Sequence, residues 1–379
     1  MKSNKIGRVA LDTIYDLGWE GEFKNILNVG RVWLKFKEED KPFGIPLRDK
    51  RTHKVVFTDI DGTLVDINTA QYGMKTNELI SVMKEKDIPL ILTSAKTRLE
   101  QNKIREDLGL SDPFIVENGG AIVIPKGYFP DTALKNIEYP LRETEEIEKE
   151  SEYINHKIGG DLRETGQKEI VHDGSRTHPP KATSKVIIIE VGKSANDIRA
   201  KLSDIRKKHN INFKGVADIS IEELSNLASM PIEQARRMAQ RNYGETILQI
   251  QKEDVARFIK CTQEAGMKVI HGGRFFDVTI GTDKGIAVGI LKKLFNRKFH
   301  NDVIYFGIGD STNDIPMLNL MDVSILVQRP DSSWLDYKGT KMKNGVNSNN
   351  NSNNNILKVN GIGPHGWENA IQKIILEMN

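Results

Sequence analysis

The sequence predicts an α/β protein: a Rossmann-like parallel-sheet core, written in two pieces, with an inserted α+β cap domain. Three observations carry this. From Lys54, an apolar strand VVFT, a helical stretch NELISVMKEKDI and a second apolar strand PLILTS follow one another at the spacing of a βαβ unit. A second set of strands and helices opens at KVIIIEVG. The chain then returns to α/β character at DKGIAVGILKKLFNRK and DVIYFGIGDS.

Residues 1–53 are mixed in charge, carry Trp19 and Trp33, and show no chemistry; they read as an N-terminal extension that packs on the core or serves assembly. Residues 54–128 form the first core piece. In its helix NELISVMKEKDI, Leu79, Ile80, Met83 and Ile88 fall at roughly helical spacing. TRLEQNKIREDLGL is a further helix, and PFIVENGGAIVIP reads as strand, Gly-Gly turn and short strand.

Residues 129–271 are expected to form the insert. Its charged run RETEEIEKESE reads as a solvated helix face or an insertion. A helix ANDIRAKLSDIRKKHN, a strand NFKGVAD, a helical stretch SIEELSNLASMPIEQARRMAQRN and strands near ETILQI and KVIHG follow. Residues 272–379 complete the core, with NDIPMLNLM helical, SILV as the last short strand and PHGWENAIQKIILEM as a closing helix. The tract at 344–355 is too rich in Asn and Ser to pack and reads as a disordered surface loop.

Composition narrows the function. Over 379 residues, 38% hydrophobic and 28% charged content exclude a disordered or membrane-embedded chain. Lys+Arg of 55 against Asp+Glu of 52 leaves a net charge of +3, too weak a field to imply nucleic acid or an anionic membrane as partner. The one cysteine, Cys261, excludes an internal disulfide and thiolate metal clusters. Runs such as Val186–Ile189 are far short of a bilayer span, and the N-terminus lacks a signal-type apolar region, so a cytoplasmic protein is expected.

The chemistry gathers at strand ends. Asp59 and Asp61 lie two apart directly after VVFT, with Gly62 and Thr63 permitting a tight turn. Two carboxylates so close share a proton or hold a hard cation, unless they merely form an acidic Asx-turn. GIGDSTNDIPML repeats the arrangement, placing Asp310, Asn313 and Asp314 after a second apolar strand. Oxygen ligands from two parallel strands can converge on one Mg²⁺. Ser94 ends the strand PLILTS, and Lys284 opens a helix.

DIDGT, the Ser of LILTS, the Lys of DKG and GDSTND together resemble the four motifs of the haloacid dehalogenase-like (HAD-like) phosphohydrolase superfamily. The resemblance implies a Rossmannoid core and an aspartyl-phosphate mechanism. Asp59 would be the nucleophile and Asp61 the acid and base, while Ser94 and Lys284 would hold the phosphoryl group. Asp59, the Asp61 carbonyl and Asp310 would hold Mg²⁺, with Asp314 and Asn313 supporting the metal and Lys284. For Asn313 and Asp314 a helix cap or a turn is the plainer alternative. Asp59 and Ser94 are separated by one helix, whereas Ser94 and Lys284 lie far apart. The cap is therefore of the late α/β type found among sugar-phosphate phosphatases.

Within that group, TSAKTR, PFIVENGGAIVIP, the segment GVADISIEELSNLASMPIEQARRMAQRNYGE, HGGRFFDVT with DKG, and IGPHGWENAI resemble the mannosyl-3-phosphoglycerate phosphatase family. RNYGETI departs from that family's pattern, as do the Asn tract and the charged insertion. The implied partner is a small phosphorylated glycoside, whose phosphate and carboxylate need cations and whose ring needs hydrogen bonds. Lys96, Arg98, Arg241 and Arg274 are the candidate cations, and Asn118, Gly119 and Glu245 the candidate ring or backbone contacts. Arg98 and Arg241 also read as helix-surface charges, and Glu245 as an exposed strand residue. A glucosyl-3-phosphoglycerate, a sucrose-phosphate-like ester, or a catalytically silent sugar-phosphate sensor are the competing readings.

Overall fold

The computed structural model describes residues 31–34, 43–46, 53–145, 185–271, 274–336 and 356–377. The Asn tract and most of the N-terminal extension and of the charged run lie outside these residues. In the extension, Arg31–Leu34 and Phe43–Pro46 pair antiparallel.

The core sheet has five parallel strands. The late strand β11 (Val303–Gly309) is central, with β1 (His53–Thr58) and then β2 (Leu90–Leu92) on one side and β12 (Val323–Gln328) and then β13 (Leu357–Ile362) on the other. β1 and β11 run in register from His53↔Val303 to Thr58↔Ile308, so both strands end at the same edge. Parallel strands covered on both faces read as continuous apolar runs, which is why VVFT and VIYFGIG stand out. β13 is the exception. The sequence reading ended the sheet at SILV, but LKVNGI adds an edge strand parallel to β12. Its alternating pattern lacks the apolar run of the inner strands.

Helices cover both faces. Val55 and Phe57 face α8 (Lys284–Lys298), packing in one cluster with Ala287, Val288, Leu291 and Phe295. Val56 points the other way, into a cluster with Leu79, Ile80 and Met83 of α1 (Thr76–Glu85) and Trp367 and Ala370 of α10 (Pro364–Ala370). Each such large apolar side chain stabilises the fold by about 1.5–3 kcal/mol. A π-helical turn, Ile371–Leu376, continues α10. α2 (Arg98–Asp107) starts with a capping box, in which Thr97 Oγ1 accepts from Glu100 N and Glu100 Oε2 accepts from Thr97 N.

A second sheet, antiparallel, orders β3 (Phe114–Val116), β4 (Ala121–Pro125), β6 (Lys185–Glu190) and β5 (Leu141–Glu145). A parallel bridge between Thr93 and Ile115 joins it to the core sheet. Of the expected insert of 129–271, β6 pairs with β4 of the first core piece and β5 pairs with β6, so these two insert strands extend the sheet begun by β3 and β4 and do not join the third sheet. Arg142 to Glu145, at the head of the charged run, lie in the edge strand β5 and not on a helix face. Exposed edges tolerate such polar sequence.

The third sheet, also antiparallel, runs β9 (Lys268–His271), β10 (Phe276–Thr279), β8 (Glu245–Ile250), β7 (Phe213–Gly215). Ile198, Leu202 and Ile205 of α4 (Ala195–His209), with Phe258 and Cys261 of α7 (Val255–Glu264), pack with its residues Phe213, Ile247 and Val278. The helical stretch after β7 divides into α5 (Ile221–Ala228) and α6 (Ile232–Ala239), because Ser229 is left-handed and Pro231 cannot extend α5. Among the described residues no helix is long and apolar enough to cross a membrane.

Candidate active site

Asp59 follows the last residue of β1 and Asp310 the last residue of β11, so register alone brings the two acidic motifs together. One oxygen from each of Asp59, Asp310 and Asp314 lies within 4.8 Å of the others, and all three residues are buried. Lys284 is the first residue of α8, whose N-cap Asp283 accepts from Ile286 N. Its ammonium, fully buried, donates to Asp59 Oδ1 at 2.6 Å and to Asp314 Oδ1 at 2.7 Å. The other Asp314 oxygen accepts from Asp310 N and Ser311 N, and Thr63 Oγ1 donates to Asp310 Oδ1 at 3.2 Å. Gly62 (φ +81°) has no room for more, since a Cβ there would lie 2.9 Å from Asp310 Oδ2.

Three carboxylates against one ammonium leave this site anion-rich. Burial lifts the Asp59 carboxyl well above its usual range against the pull of Lys284, and Asp314 and Asp310 add to the rise. Burial and the charge of Asp314 push Asp310 up to about 7. Burial alone would lower Lys284, but Asp314 and Asp59 outweigh it and hold the ammonium charged. Hard oxygen donors converging on one point, with an excess of negative charge, fit a divalent cation such as Mg²⁺.

Asp61 stands at the mouth, its side chain 42% exposed, with Oδ1 at 2.9 Å from Lys96 Nζ. Lys96 is held protonated by Asp61 and Glu100 in spite of its burial. Ser94 is buried, and its carbonyl accepts from Asn118 N at 2.9 Å.

The ENGG turn joins this mouth to the third sheet. Asn118 Nδ2 donates to Asp277 Oδ2 at 3.1 Å, Asp277 Oδ1 accepts from Thr246 and lies 3.7 Å from Arg241 Nη2, and Arg241 Nη1 donates to the Ala95 carbonyl. Asn118 Oδ1 and Arg241 Nε are buried without a hydrogen-bond partner, donor and acceptor capacity held beside the mouth. Glu117 accepts from the backbone N–H groups of Asn242 and Tyr243, both at 2.9 Å. Gly119 (φ +94°) passes so close to α8 that a Cβ would lie 2.1 Å from the Asp283 carbonyl.

Other sequence candidates sit apart. Arg98 borders a cleft of about 100 Å³ with Arg142, Asn242 and Tyr243, which none of the acidic cluster lines. Glu245 is buried within the third sheet, its carboxylate taken up by Arg199 and by the N–H groups of Val216 and Thr246. Arg274 donates to the Leu227 and Ala228 carbonyls at the end of α5, and Asn313 accepts from the Ser311 hydroxyl. Conversely, Glu117, Asp277, Thr63 and Arg329, which donates to the Asp310 carbonyl, were not among the candidates. Glu117 and Asp277 stand inside the quoted stretches ENGG and RFFDVT, but only long-range contacts reveal their use.

The profile of the haloacid dehalogenase-like hydrolases matches residues 56–333. The chain is similar to a glucosyl-3-phosphoglycerate/mannosyl-3-phosphoglycerate phosphatase of Methanococcoides burtonii, 32% identical over 86% of this chain and 98% of the relative. A protein of the same description from Persephonella marina is 30% identical over 86% of this chain and 98% of its own. A mannosyl-3-phosphoglycerate phosphatase of Pyrococcus horikoshii is 28% identical over 72% of this chain and 90% of its own. With the acidic cluster, the buried lysine and the profile in agreement, the chain belongs to the haloacid dehalogenase-like hydrolases.

Proposed function

We propose that the protein is a Mg²⁺-dependent phosphatase that hydrolyses mannosyl-3-phosphoglycerate to mannosylglycerate and orthophosphate, and that it takes the glucosyl ester as well. The observation that carries the reaction class is the buried Asp59–Lys284–Asp314 arrangement beside Asp310. The substrate rests on the names of the relatives, two of which join the glucosyl and mannosyl esters. Mannosylglycerate is a compatible solute, and the cytoplasm is the compartment this reading assigns.

An Asp59 oxygen attacks phosphorus in line while the glyceryl oxygen leaves with the Asp61 proton. Water then attacks the aspartyl-phosphate, gives its proton to Asp61, and frees phosphate and Asp59. Lys284 balances charge on the phosphoryl oxygens, with Ser94 donating to one of them. Asp59, the Asp61 carbonyl and Asp310 would hold Mg²⁺, which supplies charge neutralisation between nucleophile and phosphoryl group; Asp314 holds Lys284 in place. Lys96 keeps Asp61 oriented at the mouth, and Asn118 and Arg241 present hydrogen bonds to the leaving group. The cap is residues 193–281, its two linkers bonded to each other through Lys193 N and the Ile280 carbonyl.

The test is phosphate release from mannosyl- and glucosyl-3-phosphoglycerate and sucrose phosphate, with Mg²⁺ or with EDTA, for wild type and Asp59→Asn. Release that needs Mg²⁺, is lost in the variant and is fastest in kcat/KM for the glycosyl-phosphoglycerates is expected. Preference for sucrose phosphate overturns the substrate, and release by Asp59→Asn overturns the nucleophile.

A further inference from the structure

The closing helix reaches back to the nucleophile strand, and we infer that Trp367 is a positioning residue for Asp59, acting through the hydroxyl of Thr58. The inference rests on Asp59 being the nucleophile. The indole Nε1 donates to Thr58 Oγ1 at 3.1 Å, across 309 residues of sequence. That hydroxyl donates in turn to the Asp59 carbonyl at 2.9 Å.

Both side chains are fully buried, so water does not compete for either bond. A hydroxyl has one proton. Because Thr58 Oγ1 receives the indole N–H, its own proton is turned to the Asp59 carbonyl, and the chain of bonds has a fixed direction. On the other side of the residue, Asp59 N donates to the Ile308 carbonyl at 3.0 Å. The peptide groups before and after Asp59 are therefore both tied, and the carboxylate leaves a backbone that cannot rotate. An in-line attack tolerates misplacement poorly, of the order of 1 Å for a hundredfold loss.

The next residue works on the far end of the same segment. Glu368 Oε1 accepts from Lys75 N at 2.6 Å and from the Thr76 hydroxyl at 3.3 Å, holding the start of α1. Consecutive residues of α10 thus fix the chain at Thr58 and at Thr76, on either side of the turn that carries Asp59, Asp61 and Thr63. A buried indole needs some acceptor for its N–H, and any buried carbonyl would satisfy that need. Here the acceptor is the residue that adjoins the nucleophile, and the bond is passed on to the nucleophile's own carbonyl.

Trp367→Phe keeps the ring in the core and removes the N–H; Thr58→Val removes the relay. With Mg²⁺ and p-nitrophenyl phosphate, each is expected to lower kcat about five- to tenfold with KM within twofold, at a temperature below its unfolding. The double variant is expected to be no slower than Thr58→Val alone. Unchanged kcat in Trp367→Phe, or losses that multiply, overturn the inference, because a merely structural tryptophan lowers Tm and leaves the turnover of folded enzyme alone. If wild type releases no phosphate, the functional reading fails separately. The relay is then judged by the indole proton resonance assigned through Trp367→Phe, which must move in Thr58→Val; a resonance that stays in place overturns it.

Discussion

Asp310 and Asp59, both raised by burial, share in the pH behaviour of the site, and Asp310 sets a window near neutrality. Its folded pKa of about 7 exceeds the ordinary 3.8, so the metal-free native state keeps a proton that the unfolded chain has lost. Native protein then binds more protons than unfolded protein, and metal-free stability falls as pH rises through that window. The Mg²⁺ of the proposed function would need the ionised carboxylate, so its binding would displace that proton and strengthen over the same range. Thermal melts in Mg²⁺ and in EDTA are expected to differ little at pH 5 and by several degrees at pH 8. Equal differences at both pH values would show that Asp310 does not bind the metal.

At the scale of elements, the ENGG turn between β3 and β4 is where the core meets the cap. Val191 and Gly192 donate to the Gly120 carbonyl, Thr282 Oγ1 donates to the Gly119 carbonyl, and Glu117 receives Asn242 and Tyr243. Gly119→Ala forces a side chain into a left-handed residue against the Asp283 carbonyl, and is expected to cost at least about 2 kcal/mol in denaturant unfolding. Glu117→Ala strips the buried Tyr243 N–H and the part-buried Asn242 N–H of their acceptor and loosens the cap without touching the acidic cluster. Its kcat/KM for mannosyl-3-phosphoglycerate is expected to fall at least tenfold, while turnover of p-nitrophenyl phosphate stays within threefold. Equal losses on both esters would place Glu117 in the chemistry and not in the cap.

At the scale of the molecule, the parallel core and its strand-end and helix-start motifs were legible because buried strands print as apolar runs and each motif is local. β5 and β13 were not, since edge strands carry polar residues that a solvated helix or loop carries equally well. The cap candidates were only partly legible. Glu245 is consumed by Arg199, 46 residues earlier, and no local pattern announces that ion pair. The cap also has a core of its own around Phe258, Ile198 and Val278. Phe258→Ala is expected to cost about 3–5 kcal/mol and to leave kcat for p-nitrophenyl phosphate within threefold in the folded fraction.

The wiring of the core has a consequence for how the enzyme is made. Asp59 meets Lys284 across 225 residues, and Thr58 meets Trp367 across 309. A ribosome that has released the first strand still has the cap, the lysine and the helix of Trp367 to deliver before these two contacts can form. Contacts of such sequence separation form slowly. On the proposed reading, the aspartate made with the first strand stays without its lysine until the cap has been made, and its neighbour Thr58 without the indole for longer still.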